Sequence, residues 1–186
     1  MELLIIRHGE PDLSGDDLSD PPLTDLGQRQ AVATAHHLST TALDAVYISP
    51  QRRAQQTSVP LLDGRNIDAV TDERIAEFDY ELGSYVSPAT FHGMTRDEAI
   101  ALLDQYQGPA FQRRVLSGFR EIVQRHPGKT VAVVCHGGVI NAVVKDVIDS
   151  QHPLAPNHAS ISRVAASRSG VRSLTTFNEH HWLRGL

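Results

Sequence analysis

Residues 2–10 read Glu2-Leu3-Leu4-Ile5-Ile6-Arg7-His8-Gly9-Glu10. Four consecutive apolar residues, Leu3 to Ile6, stop abruptly at a cation, an imidazole and a glycine. An unbroken apolar run of this length reads as a strand buried on both faces, typical of the middle of a parallel sheet. A second run, Thr130 to Val134, ends in the same chemistry, Cys135-His136-Gly137-Gly138. Ligands of open α/β sheets gather beyond the carboxyl ends of the strands. If the two runs are neighbours, two imidazoles and a guanidinium converge at one sheet edge, and the glycines let a ligand approach the backbone closely.

Working outward, residues 11–22 are rich in Asp, Pro, Ser and Gly and predict a loop. Thr24 suits the N-cap of a helix to about Leu38, with Leu26, Ala31, Ala35 and Leu38 as its apolar stripe. Ala45 to Ile48 is a short strand, a helix follows from about Pro50, and Ile67 to Val70 offers a third strand. From Asp72 to Gly93 no clean period emerges, which predicts a long functional loop region. Thr95 and Glu98 form a capping-box pattern for a helix to about Tyr106. Further helices should fill Pro109 to Arg125 and Val139 to Ile148, and late strands fall near Ile161–Ala165 and Val171–Thr176. Strands alternating with helices predict an α/β fold: a three-layer α/β/α sandwich around a mostly parallel central sheet of five or six strands. At 186 residues the chain fits one domain spanning 1–186, without need of a disulfide or a structural metal.

A formal net charge of −5 makes no electrostatic case for nucleic acid or an anionic membrane surface. No stretch approaches the roughly 20 apolar residues needed to span a bilayer, and the N-terminus lacks the basic flank of a secretory signal. The single cysteine, Cys135, cannot support an intramolecular disulfide framework and is compatible with a reducing compartment. These features predict a cytoplasmic protein with neither nucleic acid nor membrane as a partner.

The strand Ala45–Ile48 leads into Ser49-Pro50-Gln51-Arg52-Arg53-Ala54, which sets a guanidinium on the first turn of a helix. Free N–H groups at a helix start favour anions as well. Two arginines, two histidines and a helix start at one sheet edge suit a compact dianion, and planar guanidinium groups clamp phosphate oxygens bidentately.

Arg7-His8-Gly9-Glu10 resembles the signature of the histidine phosphatase (phosphoglycerate-mutase-like) superfamily. Three further segments agree, in the correct order. Pro22-Leu23-Thr24-Asp25-Leu26-Gly27-Gln28-Arg29-Gln30-Ala31 resembles the family's Leu-Thr-x-x-Gly-x-x-Gln-Ala segment. Ser49-Pro50-Gln51-Arg52-Arg53-Ala54-Gln55-Gln56-Thr57 is similar to its Ser-Pro-x-x-Arg-Ala-x-x-Thr element, and Val134-Cys135-His136-Gly137-Gly138 to its second-histidine strand end. Residues 79–112 are the least typical part.

The resemblance implies that His8 is the nucleophile of a phosphohistidine intermediate, with its other ring nitrogen in need of an acceptor that the sequence does not identify. Arg7 and Arg53 would clamp phosphate, with Arg52 solvated, and His136 would stabilise the transferring group as a donor or as an imidazolium, beside Gly137. Glu77 matches the family's acid, with Glu81 as the rival because Tyr80-Glu81-Leu82-Gly83 departs from the family's Gly-x-x-x-Gly surroundings. Glu10 reads as an orienter. Ser14, in a loop that departs from the family pattern, and Asn157, in Asn157-His158-Ala159-Ser160, are weaker phosphate contacts. No cofactor or metal is implied; the pairs His36-His37 and His180-His181 lack a carboxylate framework for zinc. Cys135, one residue from His136, should point to the opposite face, into the core.

The implied activity is hydrolysis of a small phosphate monoester. Residues 72–112 would cover the site and set substrate choice, with Tyr80, Tyr85, Phe91, His92 and Met94 as candidate lining. The acidic loop of Asp12, Asp16, Asp17 and Asp20 would disfavour bisphosphates. A phosphoglycerate-type mutase shares these residues, and a non-catalytic phosphate-binding or scaffold protein is the alternative of another class. The apolar tail of Trp182, Leu183 and Leu186 either docks on its own domain or meets a partner, a second copy of the chain among the candidates.

Overall fold

The computed structural model describes residues 1–150, 152 and 154–186, with Pro88 and Ala89 described by their backbone only. Six strands, β1 (Glu2–Arg7), β2 (Ala45–Ile48), β3 (Asp68–Thr71), β4 (Thr130–Cys135), β5 (Ile161–Ala166) and β6 (Arg172–Glu179), form one sheet. Their order is β3-β2-β4-β1-β5-β6. The first four are parallel, and β5 runs antiparallel to both β1 and β6. Among the described residues, the α-helices are α1 (Asp25–His37), α2 (Arg52–Leu62), α3 (Asp79–Leu82), α4 (Arg96–Tyr106), α5 (Pro109–Arg125) and α6 (Gly137–Ile148).

The uniform apolar runs of β1 and β4 follow from cover on both faces. Leu3, Ile5, Val131, Val133 and Cys135 pack with Val115, Phe119, Ile122, Val139 and Val143 of α5 and α6. Leu4, Ile6, Ala132 and Val134 pack on the other face with Leu38, Ala54 and Leu61. Each fully buried aliphatic side chain here contributes about 1.5–3 kcal/mol relative to exposure, so the register of these two strands is strongly fixed. Cys135 lies in the α5/α6 core, as expected for a residue pointing away from His136. The edge strand β3 differs: all four of its residues are exposed.

Local signals set several ends. Thr24 caps α1 by accepting the Gly27 amide, and Thr95 with Glu98 forms the capping box of α4. Several boundaries depart from the sequence reading. The helix expected from Pro50 begins at Arg52, because the Asp20 carboxylate from the preceding loop takes the Arg52 amide at 3.0 Å and fixes the start there. The last helix before β5 starts at Gly137 instead of Val139, directly on the strand end. The Asp72–Gly93 stretch is a chain of short helical turns, Glu73–Ile75, α3 and Pro88–Phe91, too brief to display a period. The tail docks on its own chain: Trp182 stacks on His37 with ring centroids 3.8 Å apart and donates to Thr34 Oγ1 at 3.0 Å, while Leu186 stays exposed. Among the described residues, no helix is long and apolar enough to cross a membrane.

Candidate active site

The β1–β4 register pairs Arg7 with Cys135, so the next residues, His8 and His136, leave the sheet side by side. Their ring centroids are 5.1 Å apart. His8 is buried, its amide donates to Cys135 O, and its carbonyl accepts the Ala159 amide. Its Nδ1 lies 2.7 Å from Gly9 O. A carbonyl can only accept, so Nδ1 carries the proton and Nε2 presents its lone pair. Burial, and then the cations Arg53 and Arg7 with the imidazoles of His136 and His158, hold His8 well below the usual imidazole range. The ring is therefore neutral, the form a nucleophile needs. Gly9 makes this turn possible, since a Cβ there would sit 2.4 Å from Gly27 O.

Arg53 is fully buried on the first turn of α2. Its Nη2 donates to both carboxylate oxygens of Asp79, at 2.9 and 3.0 Å, and Gln51 Nε2 donates to the same Asp79 at 2.6 Å. The Tyr85 ring covers the guanidinium, 4.9 Å from its carbon to the centroid. This bracing occupies Nη2 and leaves Nε and Nη1 without a protein hydrogen-bond partner. Asp20 is the one member of the acidic loop with a contact here, 3.8 Å from Nη1. Asp12 and Asp17 instead accept from Ser14 and Ser19 within their own turns.

Glu77 is 7% exposed, and its Oε2 accepts the Gly138 amide at the start of α6 at 2.7 Å. Its own amide donates to Gln51 Oε1. Gly138 is required by this contact, because a Cβ would meet Glu77 Oε1 at 2.3 Å. Burial first, and the nearby Asp79 second, push the carboxyl up to about 7, against the opposing pull of the Gly138 and Phe78 amides that donate to it and of Arg53. It can give or take a proton near neutral pH. The rival Glu81 is 70% exposed and pairs with Arg114.

His136 is buried, with Nε2 2.7 Å from Ser49 Oγ, and burial followed by Arg53 and Arg7 holds it well below the imidazole range. A third imidazole, His158, lies with its ring centroid 5.5 Å from that of His8 and is pushed down to about 3 by burial, Arg7 and Arg53. Arg7 Nε, Arg53 Nε and Nη1, His136 Nδ1 and His158 Nε2 are all buried without a partner within the protein. Each unsatisfied buried polar atom costs about 1–3 kcal/mol. Their concentration around one neutral imidazole fits an anion with several acceptor oxygens.

Of the residues singled out in the sequence, His8, His136, Arg7, Arg53, Glu77 and Gly137 come together; a Cβ on Gly137 would lie 3.6 Å from Arg7 Nε. Glu10 accepts from Thr24 and so ties the His8–Glu10 loop to α1. Arg52 is exposed. Ser14 is exposed and bonded to Asp12, and Asn157 is exposed and bonded to Asn178 and His180, so neither makes a described contact with the cluster. The sequence reading missed Asp79, Gln51 and His158. Only His158 carried a local signal, as the residue beside Asn157 in a segment already placed near the site. Among the described residues, no three His, Cys, Asp or Glu side chains are grouped to hold a metal ion.

Comparison with known proteins gives a consistent lineage. The model of the histidine phosphatase superfamily (branch 1) matches residues 3–179. A phosphoserine phosphatase 1 from Hydrogenobacter thermophilus is 26% identical over 149 residues, 73% of this chain and 71% of the relative. A 2,3-bisphosphoglycerate-dependent phosphoglycerate mutase from Thermoplasma acidophilum is 37% identical over 79 residues, 40% of each chain. Among solved structures, an Entamoeba histolytica phosphoserine phosphatase in complex with 3-phosphoglyceric acid superposes with a TM-score of 0.79 at 19% identity, covering 98% of both chains.

Proposed function

The chain belongs to the histidine phosphatase superfamily, and on that premise we propose that it hydrolyses small phosphate monoesters through a phosphohistidine on His8. The observation that carries the reading is a buried His8 whose Nδ1 faces Gly9 O, in a site where Arg7, Arg53 and His136 keep unpartnered donors and the buried Glu77 is held at the start of α6. Arg7, Arg53 and His158 bind the phosphate oxygens through their free donors. His136 donates from Nδ1 while its Nε2 accepts the Ser49 hydroxyl proton. Nε2 of His8 attacks phosphorus, the P–O bond to the leaving group breaks, and Glu77 supplies the proton that the departing alkoxide needs. The Glu77 carboxylate then takes a proton from water as that water attacks phosphorus, the P–N bond breaks, and phosphate leaves with Glu77 reprotonated. The charge is balanced by protein cations, so the reaction needs no metal and no cofactor.

Residues 72–112 supply both the acid and the cover over Arg53, and we assign substrate choice to them. The absence of overall positive charge and the single buried thiol favour a cytoplasmic setting. The partial match to a phosphoglycerate mutase supports a second reading, transfer of the phosphoryl group back onto a phosphoglycerate.

One experiment tests both readings. Phosphate release from an aryl phosphate is measured with chelator present, for the wild type and His8→Ala, alongside product analysis on a monophosphoglycerate. Metal-free turnover that vanishes in the variant, with free phosphate as product, is expected. Full activity in His8→Ala removes the nucleophile, activity abolished by chelator removes the metal-free mechanism, and an isomerised ester without phosphate transfers the assignment to a mutase.

A further inference from the structure

The acid sits on backbone that forms no strand and only short turns, yet its carboxyl must stay fixed between α6 and the phosphate site. Arg114, on α5 and outside the phosphate cluster, reaches this backbone from behind. Its Nη1 donates to three carbonyls of the turn leading into Glu77: Glu73 O at 3.2 Å, Arg74 O at 3.0 Å and Ala76 O at 3.0 Å. Its Nε lies 3.3 Å from Glu81 Oε1, four residues beyond the acid. One guanidinium therefore brackets Glu77 on both sides in sequence. Its face rests on the Phe111 ring, 5.1 Å from the centroid, and Phe111 meets Phe78 edge-on, with ring centroids 6.1 Å apart. Phe78, the residue directly after the acid, stacks in turn on Tyr106 at 5.3 Å.

We propose that Arg114 is the positioning residue of the acid, holding the Glu73–Ala76 turn so that the Glu77 carboxyl meets the leaving-group oxygen. The proposal rests on the assignment of Glu77 as proton donor. A planar fork suits the task and an ammonium does so partially, since a lysine reaches fewer carbonyls at once. Misplacing a catalytic group by about 1 Å costs on the order of 10²-fold, and that loss should appear only where a proton is needed.

The test compares kcat/KM on p-nitrophenyl phosphate, whose leaving group departs as a stable anion, with an alkyl monoester such as glycerol phosphate, whose alkoxide must be protonated. Arg114→Gln should lose about 10- to 100-fold on the alkyl ester and at most about threefold on the aryl ester. Arg114→Lys should recover part of the alkyl loss and keep an alkyl loss larger than its aryl loss, and Glu81→Gln should cost about twofold or less. In a Glu77→Gln background, Arg114→Gln should add nothing further, because two residues acting as one unit are not additive. Equal losses on both esters, or additivity with Glu77→Gln, would overturn the proposal. If Arg114→Gln does not fold, Arg114→Lys carries the same comparison: an alkyl loss no larger than its aryl loss overturns it. If Glu77→Gln itself treats the two esters alike, the assignment of the acid falls instead, a distinguishable result.

Discussion

The proposed nucleophile and the proposed acid are held by opposite means. His8 and His136 extend from strands whose side chains are buried on both faces and whose register is locked by six paired residues. Glu77 sits between a three-residue turn and the four-residue α3, in place through Gln51, Gly138 and Arg114. Placement by a sheet is robust because many apolar contacts share it. Placement by three polar tethers is adjustable, and each tether is a separate point of failure.

The contrast can be broken or sharpened in order of expected effect. Arg53→Ala removes the buried clamp and should lower kcat/KM about 10²- to 10³-fold on aryl and alkyl esters alike; a loss confined to alkyl esters would place Arg53 with the acid instead. Glu77→Gln should cost about 10²-fold on alkyl esters and much less on aryl ones. Wild-type alkyl kcat/KM should fall as pH rises through about 7 while His8 stays neutral, and the Glu77→Gln profile should lose that limb.

The same carboxyl links to stability. Its folded pKa is raised above the unfolded carboxylate value, so its contribution is fully present below about 4.5 and lost as pH rises through about 7. Denaturant titrations should show Glu77→Gln gaining on the wild type by up to about 3 kcal/mol between pH 5 and 8; a constant difference would mean the carboxyl is not buried as a charge. His158→Ala should weaken competitive inhibition by inorganic phosphate about 10-fold, while Ser14→Ala should change kcat/KM by less than about twofold. A larger effect from Ser14 than from His158 would move the phosphate contact back to the loop.

The strand-held half was legible in the sequence because burial writes itself as composition. Leu3–Ile6 and Thr130–Val134 read as central strands, and each ended on its histidine. Helices α1 and α4 announced themselves through Thr24 and through Thr95 with Glu98. The tethered half was not legible. Asp79 is buried because Arg53 and Gln51 meet it, and no local pattern in Phe78-Asp79-Tyr80 encodes partners 26 and 28 residues away. The acceptor for His8 Nδ1 is a main-chain carbonyl, for which side-chain identity gives no clue. The exposed β3 was found at Ile67–Val70, yet β3 is shifted one residue later, since an edge strand whose residues are all exposed has little patterning to mark its ends.

The contact between Gly9 and Gly27 carries a consequence for anyone diversifying this protein. A Cβ on Gly9 would sit 2.4 Å from Gly27 O, and one on Gly27 would sit 2.2 Å from Glu10 O. Both obstacles are main chain, so no neighbouring rotamer can make room. A library that randomises the two positions together should return Gly-Gly almost alone, and a helix graft that replaces α1 must bring its own glycine at that point to leave the His8 loop undisturbed.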